Sequence, residues 1–487
     1  MGNLETRVAS STLFNMFGNG VRVSLSFLQA ILVAKWLGVA GYGKVNLILG
    51  YTSFLHYLFM VGFDHTLPYF LSTQQKDVSG KEMLKSSIGI SLGLSLSILI
   101  VLILSLFLIL PGTLYEDLLW PAIIISIQME LSALGFLIGG YFRANKCFRE
   151  VIVREQILFP LASLFGMFIF IKVLGFTVLG YAWGFFLASF VALLYMLVTL
   201  KNVKEPKPGP MKTAQSQDFS HWGTRLRFSF PVGVMATLEP IFNFSAIVIA
   251  GWLVTVEEIG YLAVSVKLGF FVTLVLLALN PIFTPYFADL WQSQNLHELK
   301  KLYQRVVYWC MSWALLVSFF FAVMSRECLL LFGREYTSAS PVFLAVLPGL
   351  FFEGAFGATK LSLVMAGKNY INVFNFLLAI FLNAMFIYLG HRWYGVVGVA
   401  AGFSLTMALL NLLRAFQFYW LFRIPPLSLS TLGKALASAA LLSLPLFLGA
   451  AYSGLLIKLA VTLALSLVAA GMLFWSDRKI LLQRMGL

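Results

Sequence analysis

Charge is what this sequence has least of. Only 11% of its 487 residues are Asp, Glu, Lys or Arg, against roughly 25% in soluble domains. With 60% hydrophobic residues and a mean hydropathy of +0.89, too few polar groups remain to cover a water-facing surface. The chain therefore reads as an integral membrane protein. Cysteine is scarce as well. Cys147, Cys310 and Cys328 are the three present, with neither metal-ligand spacing nor a disulfide framework, so no metal site is assigned. No His-Glu-x-x-His and no nucleophile elbow occurs, which leaves hydrolysis without support and no catalytic residue to name. A phosphate-cradling Gly-x-x-x-x-Gly-Lys-Ser/Thr is missing too, since MAGKN at Met365–Asn369 lacks the first glycine and the hydroxyl residue. The opening MGNLETRVASS lacks the parts of a secretory signal, and barrel-type alternating strands are absent.

Long apolar runs fill the space. SSIGISLGLSLSILIVLILSLFLIL, Ser86–Leu110, is long enough to cross a hydrocarbon layer of ~30 Å as a helix. Windows of this kind predict an all-α polytopic membrane protein with about 14 transmembrane helices. Six lie between Ser10 and Leu200, starting with Ser10–Trp36 and Lys44–Leu71. Eight follow between Leu226 and Trp475, among them Glu257–Tyr286, Pro341–Ala366, Tyr370–Leu389 and Gly395–Trp420. The net charge of +14 is spread over short loops without a basic domain, so no nucleic-acid partner is expected. Lys and Arg crowd the connections on one side, as in Lys76, Lys81 and Lys85, or Arg143, Lys146, Arg149 and Arg154. The loops Pro111–Leu118 and Thr255–Glu258 on the other side carry neither. The positive-inside rule then places both termini in the cytoplasm.

Two short stretches expose a repeat. AKWLGVAGYG at Ala34–Gly43 has a counterpart in AGWLVTVEEIGY at Ala250–Tyr261. With Trp36 set against Trp252, three more pairs follow in order. PYF (Pro68–Phe70) meets PYF (Pro285–Phe287), RANKCF (Arg143–Phe148) meets MAGKNY (Met365–Tyr370), and GYAWG (Gly180–Gly184) meets GVAAG (Gly398–Gly402). Six helices per half is an even number, so both halves enter the membrane from the same side. The expected organisation is an N-terminal six-helix lobe at 1–200, a Pro- and Lys-rich cytoplasmic linker at 201–222, and a second, pseudo-symmetric six-helix lobe at 223–422. An additional C-terminal helix pair fills 423–487.

WLGVAGYGKVNLI, NPIFTPYFADLWQ, LLLFGREYTSASPVF and the long stretch from MAGKNY through GVAAGFS resemble the polysaccharide exporters of the multidrug/oligosaccharidyl-lipid/polysaccharide flippase superfamily. The phrase with Phe332, Gly333 and Tyr336 is the most specific part. The resemblance, from Ser10 to about Trp420, implies a flippase that moves undecaprenyl-pyrophosphate-linked oligosaccharide repeat units across a bacterial or archaeal inner membrane by alternating access of two lobes. It implies lipid-linked oligosaccharide and membrane lipids as partners, with a polysaccharide polymerase and glycosyltransferases in the same pathway. No cofactor is expected beyond a coupling H⁺ or Na⁺. A lipid II flippase and a cation-coupled multidrug exporter of the same fold are the rival readings. A membrane glycosyltransferase or polymerase would need a large outer loop with carboxylates, and no outer loop is long enough.

An ionisable residue inside a membrane is costly and marks a functional candidate. Arg22 and Lys267 fall near mid-span. Either can lock helices by pairing with a carboxylate, or meet a pyrophosphate, which suits Arg and Lys donors. The resemblance to the lipid II flippase, whose cavity cations sit on the corresponding helices, favours substrate binding. Glu130, Glu239 and Glu353 also lie near mid-span, as coupling carboxylates or as counter-ions. Pro240, directly after Glu239, is expected to bend its helix. Asp64 and His65 are expected at a solvated cavity rim. Lys360 and Arg414, close to helix ends, are expected to snorkel. The glycines Gly18, Gly20, Gly180 and Gly184 are expected to serve as close-packing surfaces rather than hinges.

Overall fold

A computed structural model describes residues 2–428 except 54, 61, 74–79, 110–114, 146 and 204–221, with scattered positions from 431 to 469. Most of the linker and most of the C-terminal helix pair thus lie outside the described residues. Every regular element among the described residues is helical. The chain divides into two compact units, residues 1–248 and 249–487.

The first unit contains α1 (Gly2–Thr52), α2 (Leu55–Met60), α3 (Phe63–Thr73), α4 (Gly80–Ile109) and α5 (Tyr115–Ala144). It continues with α6 (Phe148–Ile152), α7 (Phe159–Met167), α8 (Val178–Leu200) and α9 (Trp222–Ala250), the last reaching the boundary between units. Two π-helical turns, Val153–Leu158 and Phe168–Val173, flank α7. The second unit contains α10 (Val256–Gly269), α11 (Leu274–Gln292), α12 (Leu296–Val323), α13 (Ser325–Leu329), α14 (Ser340–Phe356), α15 (Ala358–Met365) and α16 (Asn369–Phe422).

Among the described residues ten helical stretches are long and apolar enough to cross a membrane, and the longest contain breaks. α16 has 54 residues, ~80 Å of helix at 1.5 Å per residue, far more than one crossing needs. Its helix is interrupted at Tyr394 and Gly395, where Gly395 has φ 56°, so two legs fold back at the point where the sequence pattern separates two spans. α1 is broken in the same way at Gly38 (φ 70°, ψ −178°), inside the first of the repeated stretches. The matching stretch in the second half forms a full turn, closed by a capping box. Thr255 accepts from the Glu258 N–H, and the Glu258 carboxylate accepts from the Thr255 N–H at 2.9 Å. The side chains thereby satisfy helix-end donors that would otherwise face lipid or solvent alone.

The Gly-x-Ala-x-Gly motif does the same packing in each unit. Gly184 lies against the backbone of Met167, and Gly180 against Phe170. In the second unit Gly398 meets the Gly390 backbone, and Gly402 meets Phe386. Only a missing side chain lets two membrane helices approach backbone to backbone, the main source of attraction where lipid removes the hydrophobic drive. Elsewhere the cores are aromatic. Phe63, Leu67, Phe70, Tyr141 and Phe142 centre the first. Phe283, Phe287, Tyr303 and Phe418 centre the second, with Tyr303 and Phe418 rings 4.3 Å apart. Phe332 and Tyr336 are fully buried beside Gly333 (φ 139°), so the FGREY phrase forms a packed corner.

Candidate functional site

In the first unit, Arg22 projects from α1 with its side chain exposed. Its Nη2 donates to Asn19 Oδ1 at 3.3 Å, one turn back, and among the described residues it makes no ion pair. Tyr57 on α2, a phenol that the sequence did not single out, is half-buried within electrostatic range of Glu239, Asp64 and Arg22. Glu239 is half-buried on α9. That helix continues through Pro231 and Pro240. A transmembrane helix tolerates proline when neighbouring groups re-satisfy the freed backbone.

Asp64 differs from expectation. It is buried, at 5% exposure, rather than at a solvated rim, because α3 lays its backbone against Gly140 of α5, where a methyl group would stand 2.9 Å from the Asp64 carbonyl oxygen. The side chain of His65 lies outside the described residues. Glu130, on α5, has both carboxylate oxygens buried and no hydrogen-bond partner for either among the described residues. The Ser95 hydroxyl of α4, which bears on this carboxyl, donates to Leu92 O at 3.1 Å. A carboxylate buried without a partner costs several kcal/mol unless a proton or a cation accompanies it.

Arg154, in sequence one more loop charge, is nearly inaccessible, at 3% exposure. The π turn carries it inward, with Nη2 donating to Ser132 O at 3.0 Å and the guanidinium 4.3 Å above the Phe136 ring. Glu155 bridges Arg154 (3.5 Å) and Arg143 (3.4 Å). Gly135 makes room, since any Cβ there would meet the Arg154 guanidinium.

In the second unit, Lys267 occupies the last turn of α10, immediately before a 3-10 turn at Phe270–Thr273. The span expected at Glu257–Tyr286 is thus one helical run, Val256–Gln292, that tightens to a 3-10 turn just past Lys267. The Phe271 carbonyl in that turn is taken by Trp313 Nε1 at 2.9 Å. Glu353 on α14 accepts from Asn411 Nδ2 of α16 at 2.7 Å. Asn375 and Gln417 exchange two amide hydrogen bonds, 2.7 and 2.8 Å, between the legs of α16. Arg414 does not snorkel. It is 1% exposed, with its guanidinium 4.7 Å over Phe376, because the returning leg of α16 packs its face into the core. Lys360 is half-buried. Among the described residues no group of His, Cys, Asp and Glu could hold a metal ion.

Among the described residues, helices long and apolar enough to cross a membrane, with ionisable side chains within them, are the architecture of a multi-pass membrane protein. Over residues 8–291 the chain matches the family model for polysaccharide biosynthesis proteins, and it belongs to that family. No curated protein matches it significantly. Among solved structures it is similar to the lipid II flippase MurJ in an inward closed conformation, with TM-score 0.72 and 15% identity over 96% of this chain and 98% of that one. A superfamily transporter from Pyrococcus furiosus, described as having a binding pocket of reversed polarity, gives TM-score 0.63 and 16% identity over 85% and 94%. An inward-facing multidrug resistance transporter of the MATE family gives 0.61 and 15% over 85% and 94%. These neighbours are described as a flippase and transporters.

Proposed function

We propose that the protein is an inner-membrane flippase for undecaprenyl-pyrophosphate-linked oligosaccharide repeat units, working by alternating access during polysaccharide biosynthesis, with both termini cytoplasmic. The observation that carries this reading is a pair of mid-span cations, Arg22 and Lys267, in a chain of the polysaccharide biosynthesis family. Arg22 spends one of its donors on Asn19, and a guanidinium has five. A diphosphate offers the matching cluster of acceptors and prefers a bidentate fork. In the second unit Lys267 is a further cation within a span. A cation-coupled drug exporter of the same fold would instead rely on the carboxylates Asp64 and Glu239 that bear on Tyr57.

Glu130, Glu239 and Glu353 are the candidates for coupling flipping to H⁺ or Na⁺, with Glu130 the strongest because both its oxygens are buried with no hydrogen bond drawn to either among the described residues. Arg22→Ala and Lys267→Ala are expected to abolish glycan export while the protein reaches the membrane in normal amount. Arg22→Lys is expected to keep part of the activity, since the charge stays and the fork is lost. Complementation of a flippase-deleted strain decides it. Wild-type export by both alanine variants at matched expression would sink the cationic mechanism, and loss of drug resistance without loss of glycan would favour the exporter.

A further inference from the structure

The surroundings of Arg22 assign it a support. Asn19 and Arg22 stand three residues apart on α1, the spacing that puts two side chains on one helix face. Asn19 Oδ1 accepts from Arg22 Nη2 at 3.3 Å and from Gln156 Nε2 at 3.4 Å. The direction of this chain of bonds is not arbitrary. Arginine only donates, so the Asn19 amide must turn its oxygen to Arg22, and Gln156 must then offer its NH₂ to the same oxygen. Gln156 is itself fixed, at 7% exposure, on the π turn Val153–Leu158. π turns are rare and gather at functional sites, where they re-aim a side chain.

Gly18 makes the contact sterically feasible. A Cβ at that position would collide with the Gln156 carboxamide oxygen and stand 3.0 Å from Ile152. A second polar rung, Ser163 Oγ donating to Gln29 Oε1 at 3.0 Å, ties α7 to α1 farther along, where Gln29 also reaches the Met167 sulfur at 3.3 Å. Arg22 lies between the rungs. The stretch of α1 that carries it is thus pinned on both sides to the segment from Val153 to Met167.

We propose that Asn19 and Gln156 are positioning residues that hold the Arg22 guanidinium in place for a diphosphate. This rests on the reading of Arg22 given above. An exposed arginine that samples many rotamers must be ordered on binding, and an anchor fixed beforehand removes part of that cost. Loss of one neutral hydrogen bond in such a chain corresponds to roughly a two- to tenfold loss of affinity.

The test uses the full chain in lipid nanodiscs, with undecaprenyl pyrophosphate as probe and the thermal midpoint measured alongside. Asn19→Ala, Gln156→Ala and Gly18→Ala should each weaken binding about two- to tenfold. In an Arg22→Ala background, Asn19→Ala and Gln156→Ala should have no further effect, because residues acting through Arg22 lose their influence with it. An equal loss in both backgrounds, or no loss in either, overturns the positioning role while leaving that of Arg22 intact. Unchanged binding by Arg22→Ala alone overturns the diphosphate reading, and the support falls with it.

Discussion

Gly402→Ala is the perturbation whose cost can be worked most directly from the geometry. A methyl group on Gly402 would stand 2.5 Å from the Phe386 carbonyl oxygen, 2.6 Å from its carbon and 2.7 Å from the Ile387 nitrogen, whereas ordinary contact begins at 3.4 Å. The shortfall of about 0.9 Å is against backbone, which has no rotamer to escape into. The two legs of α16 must therefore part, and the Gly390–Gly398 approach nearer the turn loosens with them. Overpacking of this kind costs about 1–3 kcal/mol, offset by the roughly 0.5–1 kcal/mol that alanine gains over glycine inside a helix. The net expectation is a loss of about 1–2 kcal/mol. Gly20→Ala is the control, because nothing lies within 4 Å of a methyl group there, and it should be neutral or slightly stabilising. The 11 tryptophans report unfolding of the detergent-purified protein by intrinsic fluorescence. The midpoint of Gly402→Ala should fall while that of Gly20→Ala holds or rises. Equal midpoints for the two variants would refute the close-approach argument.

Three other outcomes are expected. A single cysteine at Gln215 should resist an impermeant thiol reagent in intact cells and react once they are opened; labelling equal to that of an outer-loop control would reverse the proposed orientation. Neutralising Glu130, Glu239 or Glu353 to Gln should remove the dependence of flipping on the ion gradient at whichever position carries the coupling ion. At a position that is only a counter-ion it should lower abundance, since a buried charge loses its partner, and a variant normal in both respects has neither role. Burial, reinforced by the neighbouring Glu327 charge, pushes the Cys328 thiol up to about 11. With the thiolate as nucleophile, alkylation of Cys328 in a Cys147→Ser/Cys310→Ser background should lag a free cysteine by more than tenfold at pH 7.5 and quicken as pH rises toward 11. A rate equal to that of free cysteine at pH 7.5 would contradict the burial.

Composition and spacing alone determine the membrane class and the helical architecture, because a spanning backbone has to satisfy its own hydrogen bonds and apolar runs of ~20 residues leave few other solutions. The breaks were legible too. Gly38 and Gly395 take positive φ within glycine-bearing interruptions that the hydropathy pattern marks, since glycine enters that region at little steric cost. The repeated Gly-x-Ala-x-Gly pointed to close packing for the same kind of reason: a missing side chain is visible in the sequence and has one main use between membrane helices.

What lay beyond the sequence was the environment of each charge. Arg154 and Arg414 look like flank residues in a linear reading and are buried at 3% and 1% exposure, and Asp64 looks like a rim residue and is packed under α5. Tyr57, Asn19 and Gln156 carried no mark at all. The last two are 137 positions apart, and a π turn decides that they meet. Periodicity fixes which residues share a face of one helix, but the rotation of that helix, the extra residue in a π turn and the partner across the gap are set by side-chain packing among distant segments. For that reason the class of protein can be read along the chain, whereas the company each polar group keeps is decided only when the helices are assembled.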